Sequence, residues 1–160
     1  MHLLERRTFV PAPLSEVFAF FSDPGNLARL TPPAMRFRII EAPSGALAAG
    51  DRIRYTIRLL GFRVKWTTRI ATWVVGESFS DTQERGPYRR WEHLHRFREA
   101  PGGVEMTDRV EYELPFGPIG RFAHAVWVER QLREIFDFRE RAIGEIFGPD
   151  SAAPLRRSAR

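Results

Sequence analysis

The 160-residue sequence predicts an α+β fold in which a curved antiparallel sheet of about seven strands wraps around one long C-terminal helix. Three observations predict it. Segments of β character follow one another in one block, turn-forming residues separate them, and a long proline-free segment of helical periodicity follows the block. Strands gathered in one block favour an antiparallel sheet over the alternating strands and helices of a parallel one.

The N-terminal elements are a strand and two short helices. The strand, Leu3–Val10, ends at a proline. Apolar residues then recur at helical spacing from Leu14 to Phe21. A second short helix is predicted to start at Asp23 and Pro24, because aspartate caps helices and proline fits their first turn.

The remaining strands and the long helix complete the predicted fold. Six strands are predicted at Met35–Ile40, Asp51–Leu59, Arg63–Val75, Ser78–Arg85, Tyr88–Arg98 and Val104–Leu114. Apolar and polar residues alternate in several of them, which is typical of an antiparallel sheet with one solvated face. The long helix is predicted over Ile119–Phe147, where apolar residues form one stripe. A sheet curved around this helix leaves a cavity between the two.

Length and composition limit the possible classes of protein. One domain is predicted over residues 1–148, followed by a disordered, arginine-containing tail over residues 149–160. The sequence has no cysteine, which excludes thiol catalysis, disulfides and cysteine-based metal sites. It has no apolar run or signal-peptide core, so we expect a cytoplasmic protein without stable membrane insertion. The net charge of +5 is spread among mixed signs, so no nucleic-acid partner is expected.

The sixth predicted strand carries residues that suit a functional site. Its side chains alternate, which puts Trp91, His93, His95 and Phe97 on one face. The residues between them are mostly charged, so this face is predicted to point inward. The two flanking strands have matching inward faces. The inward residues of Ser78–Arg85 are Phe79, Asp81 and Gln83, and those of Val104–Leu114 include Met106, Asp108 and Tyr112.

Loop lengths predict which of these residues meet. The three-residue loop Gly86–Tyr88 pairs Asp81 with His93. A short loop before the last strand places Asp108 opposite His93, or opposite His95 if the pairing shifts by two residues. In either register the four titratable residues share one face, with opposed residues about 4.5–5.5 Å apart.

The order of elements resembles the helix-grip fold of the START-like, or SRPBCC, superfamily, which includes polyketide cyclases, pollen-allergen proteins and lipid-transfer domains. The segments that carry the resemblance are Val10–Asp23, Trp66–Ile70, Phe79–Gln83 with Gly86–Tyr88, Trp91–Phe97 and Asp108–Pro115. They look like a bacterial ligand-binding group, some members of which are fused to an NAD-dependent epimerase-like domain. The resemblance implies a cavity for an apolar small molecule, and only some members are enzymes.

The titratable cluster has two interpretations. A carboxylate beside a histidine fixes its tautomer and raises its pKa, which makes His93 and Asp81 a candidate acid–base pair for cyclisation or dehydration of a ketide-like ligand. The alternative is a polar network that shapes the core or orients a ligand. Polar groups among aromatic walls favour a pocket. The predicted ligand-binding residues are Tyr55, Trp66, Thr68, Phe79, Gln83, Trp91, His95, Met106, Asp108 and Tyr112.

A metal site is the third interpretation, and it is not favoured. His93 and His95, with Glu99 four residues further on, resemble a cupin metal motif whose ligands suit iron, manganese or zinc. The glycine spacing before the histidines is wrong, no second cupin motif follows, and a terminal long helix does not belong to a cupin. We therefore expect no metal and no other cofactor.

The first expectation is a protein that binds an apolar or aromatic, lipid- or polyketide-like molecule between the sheet and the C-terminal helix. One alternative is a cyclase or dehydratase acting on such a ligand, and another is a module that binds a separate epimerase-like protein. Arg139 on the long helix is expected to be solvated. The apolar segment Leu59–Phe62 is a hairpin tip that forms a lid, contacts a membrane or packs on the long helix.

Overall fold

A computed structural model describes residues 1–115, 117–118 and 127–148. Its strands are β1 (His2–Val10), β2 (Arg38–Glu41), β3 (Arg52–Leu59), β4 (Phe62–Val74), β5 (Ser78–Arg85), β6 (Arg90–Ala100) and β7 (Gly103–Glu113). Its helices are α1 (Leu14–Ser22) and α2 (Glu129–Phe147), with 3-10 segments at Pro24–Leu30 and Pro33–Met35. The predicted tail, residues 149–160, and the predicted helix start, residues 119–126, lie outside the described residues. No helix in the described ranges is both long and apolar enough to span a bilayer.

The strands form one antiparallel sheet in the order β1-β7-β6-β5-β4-β3-β2. Neighbours in the sheet are neighbours in sequence except at β1 and β7, where the first strand pairs with the last. Register shifts in β2 and at two places in β4 bend the strands, because a bulge adds local twist. The predicted α+β class, with its antiparallel sheet and C-terminal helix, is confirmed.

Helix α2 crosses the sheet and packs on two groups of apolar residues. Near its N-terminal end, Leu132 belongs to a cluster with Val110 and Tyr112. Near its C-terminal end, Ile143 belongs to a second cluster with Phe18 of α1. The middle of α2 therefore lies over the strands that carry the predicted site, between the two clusters.

The second helix and β2 differ from the prediction. Asp23 accepts a hydrogen bond from the backbone N–H of Gly25 at 2.8 Å, as a cap should, but the segment it starts is a 3-10 helix. A further 3-10 turn ends at Met35, and Arg36 adopts the left-handed conformation. Consecutive prolines without N–H groups favour such short turns over a strand. Strand β2 consequently begins at Arg38 instead of Met35.

The tip of the β3–β4 hairpin is exposed. Leu60 is 48% and Phe62 is 77% accessible to solvent. Gly61 provides the positive φ that this tight turn needs. This exposure argues against packing of the tip on the described part of the long helix, Glu129–Phe147.

Candidate functional site

The strand register brings the four predicted titratable residues together. Asp81 pairs with His93 as predicted, and His95 pairs with Asp108, so the shifted register of β6 and β7 is the one observed. His93 Nε2 donates a hydrogen bond to Asp108 Oδ1 at 3.0 Å. His95 Nδ1 lies 2.8 Å from the same oxygen, at ion-pair distance.

A second carboxylate faces the other side of the two imidazole rings. Asp81 Oδ2 lies 3.7 Å from His93 Nδ1 and 3.5 Å from His95 Nε2. The ring centres of the two histidines are 3.9 Å apart. Asp81, His93, His95 and Asp108 therefore form one compact unit, the His–Asp cluster, in which two imidazoles lie between two carboxylates.

Burial and mutual contact set the charge state of the His–Asp cluster. Burial alone would raise the pKa of Asp108, but the Arg139 guanidinium and the two histidines hold it well below its usual range. Burial and the neighbouring His95 lower the pKa of His93. Burial would also lower the pKa of His95, but the two carboxylates outweigh it and raise that pKa. These shifts favour an ionised Asp108 and make His95 the more basic of the two histidines.

Arg139 belongs to the site, contrary to the expectation that it is solvated. Its side chain is only 12% exposed and reaches to 3.7 Å from Asp108 Oδ1. Its guanidinium lies 5.3 Å from the ring centre of Phe21. The sequence signal for this burial is that Arg139 follows Phe136 by three residues and precedes Ile143 by four, which places it on the buried face of α2. Its Nε has no hydrogen-bond partner within the described residues.

An inner cavity of about 80 Å³ lies between the sheet, the 3-10 segment Pro24–Leu30 and α2. Asp81 and Arg139 line it and supply its charged groups near the sheet. Tyr55 and Thr68, whose hydroxyls are 3.3 Å apart, are also in its wall. The apolar part of the wall includes Leu27, Leu30, Leu47, Ile53, Ile70 and Phe79.

Four of the predicted site residues thus line the inner cavity: Tyr55, Thr68, Phe79 and Asp81. His93 and His95 lie behind Asp81, which they contact. The aliphatic wall residues carried no sequence signal, because they come from elements far apart in the chain.

The other predicted site residues have different surroundings. An aromatic cluster beside His93 holds Trp66, Tyr88, Trp91 and Tyr112. Met106 is fully buried in the apolar core near α1. Gln83 stabilises the β5–β6 turn, because its Nε2 donates a hydrogen bond to the carbonyl oxygen of Tyr88 at 2.7 Å.

A larger, open groove of about 1500 Å³ runs along the outer side of α1 and the β4–β5 and β6–β7 turns. Leu14, Trp73 and Val75 contribute to its apolar wall. None of the predicted ligand-binding residues and no member of the His–Asp cluster lines it. Glu99, the third residue of the cupin-like pattern, lies on this groove, about 13 Å along β6 from His95. His93, His95 and Glu99 therefore do not come together as the ligands of one cupin-like metal site.

Solved structures share this architecture. The protein TTHA0849 from Thermus thermophilus superimposes with a TM-score of 0.69 and 19% identity, covering 90% of this chain and 95% of that one. Major latex-like protein 151 from Panax ginseng has a TM-score of 0.67 and 13% identity, covering 92% of this chain and 98% of that one. At these identities the similarity shows the helix-grip fold alone.

A third structure is similar over part of its length. The nucleoside-diphosphate sugar epimerase from Corynebacterium glutamicum has a TM-score of 0.65 and 26% identity. The match covers 89% of this chain and 28% of that chain. The chain therefore resembles one portion of a longer protein.

The family is shown by a match along most of the sequence. Residues 10–140 match the model of the family described as polyketide cyclase / dehydrase and lipid transport. No curated protein matches the chain. The family and the fold support ligand binding in general. On this match, together with the helix-grip architecture, the chain belongs to the polyketide cyclase / dehydrase and lipid transport family.

Proposed function

We propose that this protein binds a small apolar or aromatic molecule in the inner cavity, with the polar group of that molecule between Asp81 and Arg139. The observation that carries the proposal is that buried charged groups border a cavity whose walls are otherwise largely apolar. Ligand sites combine apolar walls with a few placed polar groups in this way. The family match supports the same class of function.

The polar groups at the cavity favour a neutral ligand with a hydroxyl or carbonyl group. Asp81 and Arg139 contribute a carboxylate and a guanidinium to the cavity wall. A ligand with one hydroxyl or carbonyl group pairs with these two groups, whereas a buried charge without a partner is costly. The free Nε–H of Arg139 suits an acceptor oxygen, and the Asp81 carboxylate suits a hydroxyl donor.

The size of the cavity limits what binds without movement of the protein. A cavity of about 150 Å³ is known to hold benzene, and the inner cavity has about 80 Å³. A single-ring ligand therefore requires its walls to move outward. The 3-10 segment Pro24–Leu30 is a short element outside the sheet, and Leu27 and Leu30 on it line the cavity, so we propose that this segment moves.

The His–Asp cluster favours a second candidate function, acid–base chemistry on the bound ligand. Asp81 lines the cavity and contacts both histidines, so it is placed to take a proton from a ligand and lies beside two further acid–base groups. Cyclisation or dehydration of a ketide-like molecule needs such a group. Mass spectrometry of small molecules released from the purified protein distinguishes the two functions, because a binder releases its ligand unchanged.

Filling the inner cavity is expected to abolish binding of a small aromatic alcohol. Leu27 is half-buried and lines the cavity, so Leu27→Trp should weaken binding of 4-fluorophenol at least 10-fold, measured by fluorine NMR. Leu14 is equally half-buried but lines the outer groove, which makes Leu14→Trp the matched control. The affinity of Leu14→Trp for 4-fluorophenol should stay within twofold of that of the wild type. Weaker binding by the control alone would place the ligand in the outer groove.

A further inference from the structure

We propose that Asp81, His93 and His95 bind one divalent transition-metal ion, such as Zn²⁺ or Fe²⁺, at the edge of the inner cavity. One ligand atom from each of these side chains lies within 4.8 Å of the others. Asp81 Oδ2 is 3.7 Å from His93 Nδ1 and 3.5 Å from His95 Nε2. Atoms that bind one zinc ion at about 2.0–2.2 Å are themselves about 3–3.5 Å apart. The two carboxylate–nitrogen distances are therefore close to those of a bound site, and the two nitrogens, which lie within 4.8 Å of each other, complete it on approach.

Asp108 supplies the support that metal-binding histidines need. It faces the far nitrogen of each ring, at 3.0 Å from His93 Nε2 and 2.8 Å from His95 Nδ1. A histidine that binds a metal through one nitrogen almost always directs the other N–H to a carboxylate, carbonyl or water. Because Asp108 faces one nitrogen of each ring, loss of any proton on the other nitrogen leaves a lone pair facing the Asp81 carboxylate. Three acceptors then converge on one point, and a cation there removes their repulsion.

The ligand set selects the class of metal. Two imidazoles and one carboxylate suit zinc, iron, cobalt or manganese, whereas magnesium and calcium prefer oxygen ligands. Three protein ligands also leave coordination positions open, and Asp81 lines the inner cavity, which gives the ion both access and room for a bound oxygen.

This ligand set differs from the cupin-like one that the sequence suggested. The third ligand comes from β5, the neighbouring strand, and not from Glu99 further along β6. The expectation of no metal rests on the glycine spacing, the missing second cupin motif and the terminal helix, and these arguments do not address a ligand from a neighbouring strand. The proposal goes beyond small-molecule binding and does not depend on it.

The test uses the full chain, purified without a histidine tag, dialysed against chelator and then titrated with Co²⁺ and Zn²⁺. We expect one equivalent of either ion by calorimetry, a visible Co²⁺ spectrum that Zn²⁺ removes, and a higher Tm with Zn²⁺. Asp81→Asn, at the most exposed residue of the His–Asp cluster, should weaken Co²⁺ binding at least 100-fold. Glu99→Gln is the control, and its affinity for Co²⁺ should stay within twofold of that of the wild type.

X-ray absorption of the Co²⁺-loaded wild type should show two imidazole ligands, a result that needs no variant to fold. A cobalt shell of oxygen atoms alone, or a wild type without saturable 1:1 uptake, would overturn the proposal. So would equal affinities of wild type and Asp81→Asn. The 4-fluorophenol titration is carried out on the metal-free protein, so the two proposals can fail separately.

Discussion

Asp108→Ala is expected to lower the free energy of unfolding by about 3–5 kcal/mol, because it leaves a buried charge without its partner. The Asp108 side chain is 3% exposed and contacts His93, His95 and Arg139. Without the carboxylate, the Arg139 guanidinium keeps its buried position over Phe21 but loses its counter-charge. Urea unfolding followed by circular dichroism measures the change.

Asp137→Ala is the matched control for this variant. Asp137 pairs with Arg6 at 3.1 Å, but its side chain is 51% exposed. An exposed ion pair contributes about 0–1 kcal/mol, so the control should unfold almost as the wild type does. Similar losses in the two variants would contradict the assignment of Asp108 as the buried centre of the His–Asp cluster.

Phe79→Ala is expected to cost about 3–5 kcal/mol, the usual range for removing a buried phenylalanine side chain. Phe79 is 4% exposed, and its ring centre lies 4.3 Å from that of His95 and 4.9 Å from that of Trp73. It therefore supports the His–Asp cluster from β5 while it lines the inner cavity. Thermal and urea unfolding of the variant measure the loss.

Phe62→Ala tests the same substitution at the exposed hairpin tip. Phe62 is 77% exposed, so we expect a change within about 0.5 kcal/mol. A loss above about 2 kcal/mol would mean that the tip is buried in solution. A small loss in Phe79→Ala would mean that the ring does not support the cluster.

Much of the site is predictable from the sequence, because side-chain alternation and loop length are local properties. Alternation along β6 puts His93 and His95 on the inward face, and the loop before β6 pairs Asp81 with His93. The sequence does not decide whether Asp108 pairs with His93 or with His95, because the glycines after Pro101 allow β6–β7 loops of different length. In the structure Ala100 pairs with Gly103, and the positive φ of Gly102 allows the two-residue turn.

The burial of Arg139 and the shape of the inner cavity could not be predicted from the sequence pattern of single strands and helices. The apolar stripe of α2 indicates which side is buried, but the expectation of a solvated Arg139 follows from the usual exposure of arginine, not from its place on that stripe. The cavity wall combines Leu27, Leu47 and Ile53, which are distant in sequence and meet only in the folded chain. Alternation along a strand predicts which side chains point inward, whereas the volume of the inner cavity depends on how the folded elements pack.

The binding of a ligand at Asp81 and Arg139 is tested most directly by nitrogen–proton NMR during a titration with 4-fluorophenol. Because the Arg139 Nε–H has no partner among the described residues, it reports on any acceptor that enters the inner cavity. We expect its resonance to shift saturably, together with the backbone amides of Leu27 and Ile70 and with one common Kd. Shifts confined to Leu14 and Gly76 on the outer groove, with Arg139 unmoved, would contradict binding in the inner cavity.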